Sequence, residues 1–355
     1  MSSKDPATMT EEGTASVSLS RRRSRRRRAV ITTILIAVAI FLAIADVCLG
    51  HEVYSLSDVW SVISGSGSGG AQFSIGEIRL PRALVALFCG AGFGIAGTSF
   101  QTLLGNVLAS PDIIGVTAGA NLAAVLAITV LGLSGLALFG VAVAGGLATA
   151  CCVLLLSWSR GLASSSSPTS RFILVGIGIA AMLNAATSWL MVRADQWDVQ
   201  AASRWLTGSL TDVGWSDVIP AVACVVGGYL ALTVVGKSLD ILRFGTPMAT
   251  GLGVKVNSAR AGIIVISVMI LSVMTATTGP IAFVSFLAGP IAVRLLGSQK
   301  PALLSGAAVG AIIVLLADIV AQHLPSGKVP VGVMTSLVGG PLLVFLVARM
   351  MRKAE

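Results

Sequence analysis

Asp318, in the stretch LLADIVAQ, is a carboxyl group set within an apolar run. An ionisable side chain in hydrocarbon is costly, and it marks either an ion or proton path or a structural partner. Its place near the outer end of its run leaves both readings open. Proton- and ion-coupled carriers generally keep several such groups near the membrane midplane, and the absence of such a set weighs against that class. Other chemistry is harder to assemble. His51 and His323 are far apart in sequence. Cys48, Cys89, Cys151, Cys152 and Cys224 sit in or beside apolar runs with no C-x-x-C, so they read as small apolar residues, with neither a disulfide framework nor a metal site. GFGIAG (Gly92, Gly94, Gly97) matches G-x-G-x-x-G but lies inside an apolar run, where packing is the plainer use of glycine. VVGKS ends like a phosphate-binding loop, yet the position of its first glycine holds Ala231. The chain therefore has no nucleotide loop of its own and no nucleophile–base pair or paired carboxylates.

The elements that position these residues are set by composition. The 355 residues are 55% hydrophobic and 11% charged, against roughly 25% charged in soluble domains. Runs of about 20 apolar residues recur along the chain, each enough to cross a bilayer as a helix. They do not alternate with period two, so barrel strands are excluded and helices remain. The fold class is an all-α polytopic membrane bundle of ten spans, at approximately residues 30–50, 82–103, 112–131, 134–158, 171–192, 217–236, 260–278, 280–297, 302–322 and 331–350. Residues 1–28 read as a disordered basic tail and 29–355 as one transmembrane domain. RRRSRRRR (Arg21 to Arg28) abuts the first span, as a cytoplasmic membrane anchor does. A nucleic-acid patch and an export signal are the discarded alternatives. With the N-terminus inside, cytoplasmic segments hold 19 of the 24 basic residues, so both termini are expected in the cytoplasm. Two longer outer segments, 51–81 and 193–216, carry the amphipathic pieces SLSDVWSVIS and VQAASRWLTGSL, expected at the interface with Trp60, Trp205 and Trp215. Gly90/Gly94, Gly115/Gly119 and Gly306/Gly310 are small-x-x-x-small pairs that permit close helix approach.

One cytoplasmic segment, Lys237 to Arg260, breaks the apolar pattern. Within it TPMATGLGV places Met248 and Leu252 four residues apart, on one helical face, with Gly251 and Gly253 ending the turn. Lys237, Arg243, Lys255 and Arg260 flank it. A small apolar knob in a basic rim is a docking surface; an interfacial linker is the blander alternative.

Four stretches taken together resemble the permease subunits of iron–siderophore and cobalamin ABC importers, the FecCD/BtuC-like family. They are RLPRALVALFCGAGFGIAGTSFQTLLGNVLASPDIIGVTAGA, GTPMATGLGVKVNSAR, TGPIAFVSFLAGPIAVRLLG and LLADIVAQ followed by VPVGVMTSLVGGPLLVFL. The resemblance covers about residues 30 to 350. It implies a type II ABC importer permease that carries a ferric siderophore, cobalamin or haem by alternating access. The resemblance also implies that ATP and Mg are handled by a separate ATPase dimer, so that this chain is not an enzyme and holds no cofactor. A second permease subunit, an extracytoplasmic substrate-binding lipoprotein and the lipid bilayer are the implied partners, with no nucleic acid. It assigns ATPase coupling to Thr246, Met248, Ala249, Leu252, Gly253 and Lys255, and binding-protein docking to Arg79 and Arg82. A cytoplasmic gate falls to Asn106 and to Ser164, Ser165 and Ser166. The sequence departs from the pattern where A-P-H-I-A-R becomes AGPIAVR (Ala288 to Arg294) and N-P-L-A becomes NVLA, which keeps Asn106 but has Val107 for proline. These changes are compatible with a non-identical partner subunit. The rivals from other classes are a secondary transporter, which would be sensitive to protonophores and need no ATPase, and a non-transporting membrane scaffold or sensor.

Overall fold

The computed structural model describes residues 6–50, 52–67, 69–106, 109–157, 168–242, 245–297, 303–324 and 329–351. Its helices are, in chain order, α1 (Pro6–Cys48), α2 (Leu56–Ile63), α3 (Gly69–Phe73), α4 (Leu80–Leu104), α5 (Val116–Thr129), α6 (Gly135–Ser157), α7 (Pro168–Arg193), α8 (Gln196–Thr207), α9 (Trp215–Leu242), α10 (Thr246–Gly251), α11 (Val256–Thr278), α12 (Val284–Leu296), α13 (Leu303–His323) and α14 (Val331–Met351). A π-helical turn, Ser74–Arg79, leads into α4, and a 3-10 turn, Pro111–Ile114, leads into α5. Among the described residues there is no strand. Among the described residues, seven helices are long and apolar enough to cross a membrane, and three shorter apolar ones, Val116–Thr129, Val284–Leu296 and Val331–Leu346, complete the ten expected runs.

The helix α1 starts at Pro6 and includes the basic run ahead of the first apolar run. No internal proline interrupts it, and arginine is a good helix former. The two expected amphipathic pieces are α2 and α8. Ser55 caps α2: its hydroxyl accepts from the Asp58 amide, while the Asp58 carboxylate accepts from the Ser55 amide. The Asp58 carboxylate also accepts from the Ser55 hydroxyl at 2.6 Å, and that bond first, then the one from the Ser55 amide, holds the Asp58 carboxyl below its usual pKa.

The core is built round α4, whose neighbours are α13, α12, α11, α9 and α1. Phe93, Phe100, Ile270, Leu271 and Met274 are fully buried there. Two of the expected glycine pairs face each other across α4 and α13. A Cβ on Gly90 would stand 2.6 Å from the Gly310 carbonyl oxygen and 2.7 Å from Ala311 Cα, so both neighbours are backbone that cannot step aside. Gly227 on α9 has nothing within 4 Å of a built Cβ. Gly90→Ala is therefore expected to lower the thermal midpoint of the detergent-solubilised protein by several degrees, whereas Gly227→Ala leaves it unchanged or raises it slightly through helix propensity. Equal midpoints for the two variants would remove the close approach as the organising contact.

Candidate functional site

The candidate residues separate between the two faces of the bundle. At one face lie α2, α8 and the start of α4; at the other, α10 and the start of α13.

The α10 face carries the expected knob. Lys237 to Leu242, placed in the amphipathic interruption on sequence grounds, instead continues α9, and Val256 to Arg260 already belongs to α11. Ahead of Thr246 and Pro247, Gly245 adopts φ 94°, a backbone region open to glycine. The Ala249 amide donates to the Gly245 carbonyl at 3.1 Å and the Leu252 amide to Met248 at 3.1 Å. The Val254 amide returns to the Ala249 carbonyl at 3.0 Å, and Gly253 (φ 79°) turns the chain toward α11. Ala249 is fully buried and seats the short helix on α9 and α11. Met248 and Leu252 remain 55% and 60% exposed, beside the exposed Lys255. Thr246 opens the helix, although its side chain and those of Lys237 and Arg243 lie outside the described residues. Asn106 follows the end of α4, its amide donating to the Gln101 carbonyl. Ser164, Ser165 and Ser166 fall outside the described residues.

At the opposite face the two arginines are engaged within the chain. Arg82, expected to face outward, turns into the bundle. Its Nε and Nη2 donate to the two oxygens of Asp318 at 2.9 and 2.7 Å, a bidentate pair. Asp318 is fully buried and Arg82 is 19% exposed. Gln322 Nε2 donates to Asp318 and to Asp46, at 2.9 and 2.8 Å. Asp46 is a second carboxylate inside an apolar run, missed on sequence grounds although FLAIADVC displays it as plainly as LLADIVAQ displays Asp318. Arg79 is half-buried. Its guanidinium donates to the Val47 and Glu52 carbonyls at 3.1 and 2.8 Å and lies over the Tyr54 ring, 4.6 Å from its centroid.

A third cluster had no sequence expectation. The Asp112 carboxylate accepts from Ser110 Oγ at 2.9 Å, Thr117 Oγ1 at 2.6 Å and Ser285 Oγ at 2.7 Å. Ser285 lies in the first turn of α12 and Thr117 in the first turn of α5, so the N-termini of the two shortest spans meet at one carboxylate. Gln101 Nε2 donates to the Phe286 carbonyl at 3.0 Å and ties this junction to α4. SPD followed by a threonine five residues on was a visible local signal, but Ser285, 173 residues away, was not. Among the described residues no group of three or more His, Cys, Asp or Glu could hold a metal ion.

Among the described residues, ten apolar helices, two amphipathic helices at one face and an exposed apolar knob at the other make up a bundle of the kind that spans a membrane. The profile of the FecCD transport family matches residues 35–349, and this chain belongs to that family. The ferric enterobactin transport system permease protein of Escherichia coli (strain K12) is 33% identical over 305 residues, 86% of this chain and 91% of that protein. The iron(3+)-hydroxamate import system permease protein of Bacillus subtilis (strain 168) is 31% identical over 329 residues, 90% of this chain and 96% of that one. A vitamin B12 import system permease protein of Vibrio cholerae is 31% identical over 299 residues, covering 83% and 88%. Among solved structures, a metal-chelate type ABC transporter in an inward-facing conformation superposes with a TM-score of 0.77 at 27% identity, covering 90% of this chain and 99% of that one.

Removing the Arg82 guanidinium leaves the buried Asp318 without its cation. Arg82→Gln is expected to cost about 3–5 kcal/mol, read as a lower thermal midpoint, and Arg82→Gln with Asp318→Asn to recover most of it. A single mutant as stable as the parent would show that the pair contributes nothing to the bundle.

Proposed function

We propose that this chain is the membrane-spanning subunit of a bacterial ATP-driven importer that carries a ferric siderophore across the cytoplasmic membrane by alternating access. The observation that carries the reading is α10, a short helix seated by Ala249 that presents Met248 and Leu252 to a partner. A chain with no phosphate loop of its own needs the work of ATP hydrolysis delivered through such a contact. The partners are an ATPase dimer at the α10 face, a second permease subunit beside this one and an extracytoplasmic binding lipoprotein at the α2/α8 face. The charge asymmetry supports an orientation with the α10 face and both termini in the cytoplasm. Ferric siderophores are favoured because the enterobactin and hydroxamate permeases are relatives. Cobalamin is the second reading, on the strength of the vitamin B12 permease.

Burying one Met or Leu contributes about 1.5–3 kcal/mol, so two such side chains dominate a small contact. Met248→Asp with Leu252→Asp is expected to leave membrane insertion and binding-protein docking intact while abolishing ATPase co-purification and uptake of iron-55 siderophore. The reverse is expected of Arg79→Glu, the one of the two arginines not committed to a buried carboxylate: ATPase retained, binding-protein affinity reduced. A double aspartate variant that copurifies its ATPase and transports at the parental rate would overturn the coupling role. At the cytoplasmic mouth we assign the gate to Asn106 and the serines at 164–166. Cysteines placed at Asn106 and Ser165 should crosslink to the second permease subunit to an extent that changes with nucleotide, and crosslinking independent of nucleotide would count against gating.

A further inference from the structure

The arginines of α1 divide into two sets by the face of the helix they occupy. Thr32 bonds Ser305 at 2.8 Å, and Ala39 and Asp46 are buried, so these residues mark the face of α1 turned to the bundle. Arg28, one turn before Thr32, shares that face and is half-buried. Val30, Ile34 and Phe41 mark the opposite face, and Phe41 is 69% exposed. Stepping back from Val30 by three, four, seven and eight residues gives Arg27, Arg26, Arg23 and Arg22, all exposed, and of these Arg27 is the one whose guanidinium lies beside Gly297 at the end of α12. The outward apolar stripe of α1 therefore runs without a break into these cations.

Their depth is fixed as well. A methyl built on Gly297, the residue that ends α12, would stand 3.2 Å from Arg27 Nη2, so Arg27 is level with the end of α12. Ser305 lies in the first turn of α13. At 1.5 Å per residue, Arg26 to Arg22 extend about 1.5–7.5 Å beyond that level. This is the depth of lipid headgroups beside a helix whose outer face is apolar. The partner ATPase is a poor occupant for the site, because α1 packs on α13, α4 and α12, whereas α10 sits between α9 and α11.

We propose that Arg22, Arg23 and Arg26 form a binding site for anionic phospholipid headgroups of the leaflet on the α10 side. Guanidinium groups pair with phosphate oxygens through two parallel hydrogen bonds, and the net negative charge of phosphatidylglycerol separates it from the zwitterionic phosphatidylcholine. Of the function proposed above, this rests only on the orientation that makes that leaflet cytoplasmic.

The test is native mass spectrometry of the full chain purified from an equal mixture of phosphatidylglycerol and phosphatidylcholine. The parent should retain phosphatidylglycerol in preference. Arg22→Gln, Arg23→Gln and Arg26→Gln together should lower that preference about tenfold or more, since each basic residue near a membrane contributes measurably to anionic-lipid attraction. The corresponding triple lysine variant should keep most of it. Inorganic phosphate at matched concentration should not displace the lipid. Should the glutamine variant fail to fold, the parent itself decides: raising salt from 0.1 to 1 M shortens the screening length from about 10 to about 3 Å and should erase the preference. Equal retention of both lipids by the parent, an unchanged preference in a folded glutamine variant, displacement by free phosphate, or indifference to salt would each overturn the proposal. None of these readouts involves transport, so their failure is separable from failure of the coupling role.

Discussion

The backbones of α4 and α13 touch. In a bilayer, lipid chains compete equally for apolar surface, so helices associate through close packing and polar contacts rather than through hydrophobic expulsion. Gly90 and Gly94 on α4 face Gly310 and Gly306 on α13, with each carbonyl occupying the space a side chain would need. Toward the α2/α8 face, Arg82 of the same helix grips Asp318 of the same partner. The two devices specify one register. A slide of one helical turn, about 5.4 Å, would separate the guanidinium from its carboxylate and also move the glycines off one another. Because α4 contacts α9, α11, α12 and α1 as well, that register sets the position of the rest of the bundle.

The same constraint explains the Asp112 junction. α5 has 14 residues and α12 has 13, about 20 Å each against a hydrocarbon thickness of about 30 Å. Helices that short do not fill that thickness, and their first amide groups have no partner within their own helix. A carboxylate near two helix N-termini is favoured by the dipoles of both. Three hydroxyls then satisfy Asp112 in turn. Before α12 the chain reaches this point through Phe283, whose φ of 66° is the one positive value at a non-glycine residue among those described. Such strain persists only where surrounding packing dictates it, and Phe283 lies against Gly339 of α14 at a spot where any larger residue would collide with its ring.

Much of this fold is legible in the sequence, because hydropathy over 20 residues is a one-dimensional signal. The ten runs, α2, α8 and the Met248/Leu252 knob all depend on residues close in the chain. The losses have a common cause. Arg82 was read beside Arg79 as a surface cation, since RLPR shows two arginines at a helix start and the decisive partner lies 236 residues away. The i, i+3 spacing places the two on neighbouring but distinct faces, so one can bind the loop after α1 while the other enters the bundle. Asp46 was legible and overlooked. Ser285 was not legible at all, because a serine in an apolar run most often bonds its own helix backbone, as Thr102 and Thr187 do. Local boundaries moved for a local reason: Leu239, Ile241 and Leu242 continue α9, and no breaker appears before Gly245 and Pro247.

These boundaries bear on how a push on α10, as proposed above, would reach the membrane. α10 packs on α9 and α11, and its Ala249 is buried. So seated, α10 has little freedom to move alone, and a displacement of the knob would move the ends of α9 and α11. Both helices pack on α4, and α4 reaches the Asp112 junction through Gln101. α4 is itself held to α13 by backbone contact and by an ion pair, two interactions that yield poorly to small shifts. The compliant parts are therefore the polar contacts at the start of α5 and α12, where hydroxyl-to-carboxylate hydrogen bonds can exchange partners without opening an apolar cavity. In a bundle so constrained, the two short helices are where a displacement applied at α10 would be most readily absorbed.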